Sequence, residues 1–249
     1  MKRILPPLIP MLLAIAISEI AVRQAWIASY LVPTPSAVLM AMIDSRVELW
    51  QAFLKTSSGA LLGFALSTTL GVAIAVLLSS SRRIQRAFYP YAVFFQTVPI
   101  IAIAPLLVIW FGYGMKTVIA SAFVVSIFPV IANTLTGILS TDPALRDMFR
   151  LYGASKRTTL FKLSLPAALP QILTGLRVAS GLAVIGAIVG EFIGGEGLGS
   201  VVDVARTQQR VDKVFAAVLL ASILGLALFG LINLISNHTL RRWHASEQA

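Results

Sequence analysis

Charged residues divide the chain into long uncharged runs. Four of these runs, 56–81, 87–115, 117–141 and 214–240, contain no Asp, Glu, Lys or Arg, and each exceeds the roughly 20 residues that a helix needs to cross the hydrocarbon of a membrane. Two further apolar segments carry one charge each, Glu19 in 4–22 and Arg177 in 163–190. The pattern predicts six membrane-spanning helices, at about 4–22, 57–79, 88–111, 117–139, 171–193 and 214–236.

A segment with a different pattern separates the first two predicted spans. After a stiff Pro33-Thr34-Pro35-Ser36 entry, apolar residues recur three or four positions apart, at Leu39, Ile43, Val47, Trp50 and Leu54. This spacing predicts a helix with one apolar face. Two placements stay open, an amphipathic helix on the external membrane surface or a helix packed on the bundle.

The composition supports an integral membrane protein. Hydrophobic residues make up 57% of the 249 residues and charged residues only 12%, whereas about a quarter of a soluble domain is charged. Disorder and a collagen-like chain are excluded by the same composition. Because there is no cysteine, a disulfide scaffold, thiol catalysis and thiolate metal sites are excluded as well.

The net charge of +10 predicts an orientation. If the N-terminus is cytoplasmic, 13 of the 20 Lys and Arg residues lie on the cytoplasmic side and seven outside. The positive-inside rule therefore predicts that both termini are cytoplasmic, and a nucleic-acid partner is not needed to explain the charge. A cleaved secretory signal is the alternative for the first span, but Pro6, Pro7 and Pro10 favour a retained helix.

Several polar residues lie within or beside the predicted spans, where each needs a partner. Gln96 and Asn133 are the candidates for a translocation path, with hydrogen bonding between helices as the alternative. Arg177 is either an interfacial anchor or a ligand clamp. Glu191 has three open roles: a gate, a partner of a cation, or a group that faces water. Pro90, Pro99 and Pro105 predict a kinked third span near the path.

The segment 141–170 predicts a basic loop of two short helices. Asp142 suits an N-cap with Pro143 at the first helical position, and Gly153 suits the left-handed residue that ends this helix. Ser155 suits the cap of the second helix, which is expected to end before Pro166. A loop of this size exceeds what is needed to join two spans, which indicates a docking element.

This loop resembles the signature of permease subunits of binding-protein-dependent ATP-binding-cassette importers, in which a Glu-Ala-Ala triplet, three residues, a glycine and nine residues precede Ile-x-Leu-Pro. Gly153 matches the glycine, and Leu163-Ser164-Leu165-Pro166 matches the end. The triplet falls on Asp147-Met148-Phe149, whose last two residues are bulkier than alanine. Further matches are Val98-Pro99, Trp110-Phe111-Gly112, Phe128-Pro129, Gly175-Leu176-Arg177, Gly190-Glu191 and Gly197-Leu198-Gly199.

The resemblance implies one transmembrane domain, 1–249, with the type I importer permease fold, all α-helical with about six transmembrane helices, in a bacterial inner membrane. It implies three kinds of protein partner: a cytoplasmic ATPase dimer, a second permease subunit that makes a homodimer or a pair with a relative, and a periplasmic or lipid-anchored substrate-binding protein. It places ATPase coupling in the loop 141–170, at Asp147, Met148, Phe149, Gly153, Ala154, Ser155, Leu163, Leu165 and Pro166.

The resemblance also implies that this chain is not itself an enzyme. No Gly-x-x-x-x-Gly-Lys-Ser/Thr phosphate loop occurs, so ATP and Mg²⁺ are expected on the partner ATPase, with no cofactor and no metal on this chain. A secondary transporter commonly has charges in mid-membrane, and the spans have almost none. An intramembrane enzyme is disfavoured because no histidine lies in a span.

The ligand stays open at this point. The nearest branch is the nitrate, sulfonate, taurine and bicarbonate permeases, which implies a small anion. The tract 183–191 also resembles permeases for thiamine-precursor pyrimidines, which implies a heterocycle as the alternative.

Overall fold

The computed structural model describes residues 5–243, and these residues contain helices and no β-strand, which confirms the all-α class. A π-helical turn at Leu160–Ser164 joins the eighth helix to the ninth. The helices in chain order are α1 (Leu5–Arg23), α2 (Pro35–Asp44), α3 (Arg46–Ser79), α4 (Arg82–Thr97), α5 (Ile100–Phe111), α6 (Met115–Leu139), α7 (Pro143–Leu151), α8 (Lys156–Thr159), α9 (Leu165–Gly194), α10 (Leu198–Thr207) and α11 (Val211–Trp243).

Four helical runs in the described part are long and apolar enough to cross a membrane. They are Arg46–Ser79, Met115–Leu139, Lys156–Gly194 and Val211–Leu240. They contain the predicted spans 57–79, 117–139, 171–193 and 214–236, so the prediction of helices there is confirmed. The 19-residue helix α1 covers most of the predicted first span at 4–22.

The predicted span 88–111 is not one helix, and the prediction of a continuous span is wrong. Val98 and Pro99 are extended, with ψ of 122° and 124°. Pro99 has no N–H to donate and forces the residue before it out of the helical region. Helix α4 therefore ends at Thr97, and α5 begins after Pro99. Non-helical backbone between two apolar helices has to line a cavity or be covered by protein.

Glycines bring α3 and α6 into close contact. A Cβ atom on Gly59 would lie 2.6 Å from Val118, and one on Gly71 would lie 2.9 Å from Val130. Small residues at such positions let helix backbones approach closely in a membrane. Because the contacts advance in the same direction along both helices, α3 and α6 are parallel, and their C-terminal ends lie on one side of the bundle.

Helix α9 packs against α6 in the opposite direction. A Cβ atom on Gly175 would lie 2.8 Å from Asn133, and one on Gly190 would lie 2.9 Å from the Ser121 hydroxyl. Later residues of α9 thus meet earlier residues of α6, which defines an antiparallel pair. The centre of the bundle is a cluster of buried apolar residues from α3, α6, α9 and α11: Ala60, Val118, Ala122, Val184, Ala187, Leu224 and Leu228.

The predicted apolar stripe between the first two spans faces away from the bundle. Its five residues are between 50% and 63% exposed, whereas Ala41, Leu49 and Ala52 on the other face are buried. The stripe is therefore not the packing face, which favours the membrane-surface placement. The segment is also not one helix, since Ser45 (φ −99°, ψ 19°) separates α2 from α3, and the second half belongs to the spanning helix.

The expectation that the helix after Ser155 ends before Pro166 is wrong. Helix α8, the π-helical turn and α9 run on continuously, and the Leu165 N–H donates to the Leu160 carbonyl five residues back. This wider turn shifts the hydrogen-bond register just before Pro166. Pro166 then lies in the first turn of α9, a position that suits a residue without an N–H.

Candidate functional site

The loop between α6 and α9 is shaped by two caps. The Asp142 carboxylate accepts a hydrogen bond from the Ala144 N–H at 2.8 Å and caps α7. At the C-terminal end of α7, Gly153 has φ +72°, and its N–H donates a hydrogen bond to the Arg150 carbonyl at 3.0 Å. The Ala154 N–H donates to the Phe149 carbonyl at 2.9 Å, which completes a Schellman motif. The predicted left-handed turn at Gly153 and the predicted cap at Ser155 are confirmed.

The predicted coupling residues occupy two different environments. Asp147, Met148, Gly153 and Ser155 are exposed, while Phe149 and Ala154 are half-buried. The Asp147 carboxylate forms an exposed ion pair with Arg150 at 3.2 Å. Leu163 lies in the π-helical turn and Leu165 and Pro166 lie in the first turn of α9, and all three are half-buried. The loop helix α7 and the start of α9 therefore present separate parts of the predicted set.

Sequence reasoning missed the two most exposed apolar side chains of this loop. Leu151 and Tyr152 are 89% and 85% exposed, whereas the predicted Met148 is 42% exposed. Leu151 and Tyr152 are therefore open to contact with a partner. The available signal was an apolar pair directly before the helix-ending glycine, in a loop that is otherwise polar.

Arg146 fixes the loop to the bundle. Its guanidinium donates to the carbonyl of Ile138 in the last turn of α6, where carbonyls have no partner inside the helix. Thr141 donates to the same carbonyl at 2.8 Å. Movement of α7 would therefore be passed directly to the end of α6.

A cavity of about 670 Å³ lies beside the break between α4 and α5. Its walls come from α3, α4, α5, α6 and α9. Gln96 and Thr97, just before the break, supply side-chain amide and hydroxyl groups, and Tyr91, Phe123 and Phe128 supply rings. No charged side chain of the described part lines it.

The other predicted path residues lie elsewhere. Asn133 donates to the Pro129 carbonyl of its own helix at 2.9 Å and sits in the α6–α9 contact. Arg177 donates to the buried Ser236 hydroxyl at 3.0 Å and so joins α9 to α11. Of the four predicted residues, the structure places only Gln96 at the cavity.

Glu191 is 2% exposed and holds the start of α10. Its Oε2 accepts from the Gly199 N–H and from the Thr56 hydroxyl, both at 2.9 Å. The Thr56 hydroxyl in turn accepts from the Leu198 N–H at 2.9 Å. These two N–H groups open α10, whose N-cap residue is Gly197 and has no side chain, so two distant side chains do the capping.

Gly197 is required by this arrangement. A Cβ atom there would lie 2.2 Å from the Glu191 Oε1 atom. The carboxylate thus occupies the space that a capping side chain would take. Sequence reasoning identified Glu191 but missed Thr56, because a threonine at the edge of an apolar run gives no sign of a partner 135 residues away.

Ion pairs border the bundle on the side of α10. Lys55 hydrogen-bonds the Glu196 carboxylate and thereby lowers the pKa of that group below its usual range. Lys213 pairs with Glu48 at 2.7 Å. Among the described residues, no group of three or more His, Asp and Glu is placed to hold a metal ion.

Comparison with known proteins gives one family match and several relatives. Residues 67–241 match the family described as "Binding-protein-dependent transport system inner membrane component". The chain is 38% identical over 235 residues to a formylaminopyrimidine transport permease of Halalkalibacterium halodurans, covering 94% of each protein. It is 30% identical to a riboflavin transport system permease of Chloroflexus aurantiacus, covering 96% of this chain and 90% of the relative.

Two further similarities complete the comparison. An aliphatic sulfonates transport permease of Bacillus subtilis is 30% identical over 235 residues, covering 93% of this chain and 85% of the relative. Among solved structures, the inward-facing MetNI methionine ABC transporter superposes with a TM-score of 0.71 at 17% identity, over 79% of this chain and 98% of that chain.

Proposed function

This chain belongs to the family of binding-protein-dependent transport system inner membrane components, the permeases of ATP-binding-cassette importers, and we propose that it imports an uncharged nitrogen heterocycle of the formylaminopyrimidine type. The observation that carries the choice of ligand is the lining of the cavity beside the α4–α5 break. As a member of this family it works with an ATPase and a substrate-binding protein, which sets aside a secondary transporter.

The cavity chemistry suits a flat, neutral ring. Tyr91, Phe123 and Phe128 offer aromatic faces for stacking, and the Gln96 amide offers one donor group and one acceptor. The volume of about 670 Å³ is within the range of small-molecule sites. A sulfonate or nitrate ion would lose its hydration shell on entering this cavity, and no lining residue carries a positive charge to compensate for that loss. Transfer of an unpaired ion out of water is costly. The neutral heterocycle is therefore favoured over the small anion.

The relatives support the same choice. The formylaminopyrimidine permease shares 38% identity, and a riboflavin permease, also for a nitrogen heterocycle, shares 30%. The sulfonate permease shares 30%. The small anion is the competing outcome of the experiment.

The test of the ligand is uptake by the complete transporter in proteoliposomes. We expect ATP-dependent uptake of a labelled formylaminopyrimidine and no uptake of an alkanesulfonate. Gln96→Leu should raise the KM for the heterocycle about tenfold, because a polar contact with the ligand worth about 1.4 kcal/mol is lost. Gln51→Leu, the same change at an exposed position of α3, is the control. Uptake of the sulfonate alone would refute the ligand and leave the permease assignment intact.

The loop between α6 and α9 is proposed as the ATPase-coupling element. Its support is the exposed pair Leu151 and Tyr152 on a capped helix, and the Arg146 contact with the end of α6. ATP and Mg²⁺ would bind to the partner ATPase dimer. Closure of that dimer would move α7, and through Arg146 the end of α6, so that access switches between the two sides.

Affinity for the ATPase tests the docking surface. Tyr152→Ala should weaken binding of the ATPase about 30-fold, the effect of losing an exposed aromatic anchor worth about 2 kcal/mol. Tyr113→Ala is the matched control, because Tyr113 is 81% exposed at the opposite end of the bundle. Equal effects of the two variants would refute docking at α7.

The proposed setting is a bacterial inner membrane with both termini cytoplasmic and a second permease subunit, a homodimer in the simplest case. Unpaired cations support this orientation. Arg82, Arg83, Arg86 and Lys156 lie on the side of the coupling loop, and none of them forms an ion pair within residues 5–243. Five of the six ion pairs within the described residues lie on the other side. Labelling of single cysteines placed at exposed positions on each side tests the orientation.

A further inference from the structure

Three arginines crowd the first turns of α4. Arg82, Arg83 and Arg86 are all exposed, and α4 begins only three residues after the spanning helix α3 ends. Helix α4 is fixed to the bundle, because Ile84 and Tyr89 pack against buried residues of α3 and α6. The cations are therefore held on a rigid helix at one boundary of the membrane. This holds for either orientation of the chain in the membrane.

A cavity of about 390 Å³ opens beside these cations. Its lining is Arg82, Gln85, Arg86, Tyr89 and Pro90. It thus combines two guanidinium groups, an amide and a phenol, which are all donors to phosphate oxygens. It is separate from the larger cavity beside the α4–α5 break, with which it shares no lining residue.

The cations in this cluster lack a partner in the protein. Within the described residues, Arg82, Arg83 and Arg86 make no ion pair, and the first turn of α4 contains no acidic residue. Three like charges within five residues repel each other unless an anion compensates them. At the other end of the bundle five cations of the described residues are paired, for example Lys213 with Glu48, while Arg46 and Lys116 form no ion pair.

Neighbouring residues identify the source of the anion. Phe88, next to Tyr89 in the second turn of α4, is 61% exposed, and α4 continues into an apolar sequence. Aromatic side chains beside cations at the end of an apolar segment are typical of the headgroup layer. A free phosphate ion would use the arginines but not this exposed aromatic surface, whereas a phospholipid would use both.

We propose that the cavity at Arg82, Gln85, Arg86 and Tyr89 binds the phosphodiester headgroup of an anionic phospholipid. The acyl chains would lie along the exposed ring of Phe88. This site is independent of the ligand proposed above, since it lies outside the cavity assigned to transport. It would anchor α4, the helix that carries Gln96, to the membrane surface.

Native mass spectrometry of the detergent-purified transporter, titrated with phosphatidylglycerol or phosphatidylcholine, tests the site. The wild type should bind phosphatidylglycerol preferentially. Arg82→Gln with Arg86→Gln should weaken that binding about 25-fold, at about fivefold per arginine. The matched control, Arg46→Gln with Lys116→Gln, removes two exposed cations at the other end of the bundle and should change binding less than twofold.

Other outcomes would overturn the proposal. Equal losses in the two double variants would mean a net-charge effect, and displacement of the lipid by millimolar inorganic phosphate would mean a phosphate-ion site. Loss of ATPase binding with lipid binding unchanged would make the cluster a protein contact. Arg82→Lys with Arg86→Lys keeps the charge and should retain binding within about fivefold, which separates loss of the site from failure to fold.

Discussion

Replacing Thr56 by valine should release the start of α10 from the bundle. The hydroxyl of Thr56 accepts from the Leu198 N–H and donates to the buried Glu191 carboxylate, both at 2.9 Å. Valine has the same branched shape without the hydroxyl, so packing is preserved while these two hydrogen bonds and the 3.1 Å contact of the hydroxyl with the Ala52 carbonyl are lost. The variant therefore isolates the tertiary cap of α10 from the apolar contacts around it.

The magnitude follows from burial. Thr56 is fully buried, so the Leu198 N–H would be left without a partner and away from water, which costs about 1–3 kcal/mol. Loss of one hydrogen bond to the Glu191 carboxylate adds about 1 kcal/mol. A total of about 2–4 kcal/mol should lower the Tm by about 6–12 °C, at about 3 °C per kcal/mol for a chain of this length.

Thermal unfolding in detergent, followed by intrinsic fluorescence, is the measurement. Thr69→Val on the same helix is the matched control. Its hydroxyl is exposed and bonds only to carbonyls of α3, at 2.9 and 3.1 Å, so its removal should shift the Tm by no more than about 2 °C. Accelerated amide hydrogen exchange at Leu198 and Gly199 in the Thr56 variant would locate the effect at α10.

A Tm for Thr56→Val equal to that of Thr69→Val would refute the tertiary cap. A double-mutant cycle with Glu191→Gln gives an independent check, since the two side chains share a hydrogen bond. We expect a coupling energy of about 1 kcal/mol. Strict additivity would mean that the two residues act separately.

Three further predictions concern the loop, a helix contact and the path. Gly153→Ala should cost about 1 kcal/mol of loop stability, because φ at Gly153 is +72° although the space around it is open. It should lower ATP-coupled uptake without changing the amount of protein inserted in the membrane. The stronger Gly153→Pro should abolish coupling, and normal transport by that variant would contradict the prediction. Gly63→Ala should lower the Tm, since its Cβ would lie 2.4 Å from Ala122, whereas Gly225→Ala, with open space, should not; equal Tm values would contradict the close contact. Arg177→Met should leave the KM for ligand unchanged in uptake assays, because Arg177 lies away from the cavity; a fivefold rise would place it in the path.

The loop shows how much local sequence can predict. The cap at Asp142 and the left-handed residue at Gly153 were both expected, because each depends on one residue and its immediate neighbours. The continuation of the helix past Pro166 was not expected. The π-helical turn that permits it depends on hydrogen bonds outside the usual register, for which the sequence carries no simple signal.

The cavity shows a similar limit of prediction from sequence. The prolines predicted a distorted third span, yet a kink and a full break at Val98 and Pro99 have the same sequence signature. Gln96 was selected because an amide in an apolar run needs a partner. Asn133 met the same criterion but lies in the α6–α9 contact, because the rotation of each helix decides which polar group faces a cavity.

The sequence by itself determined the membrane class, the apolar segments and the caps of the loop between α6 and α9. Each of these depends on a free energy summed over neighbouring residues, such as the transfer of about 20 side chains into hydrocarbon. Only the tertiary structure joined Glu191 to Thr56 and Gly199, gathered the cavity lining from five helices and left three arginines unpaired at the start of α4. These features depend on the direction, rotation and spacing of packed helices, and residues 135 positions apart meet only through that packing.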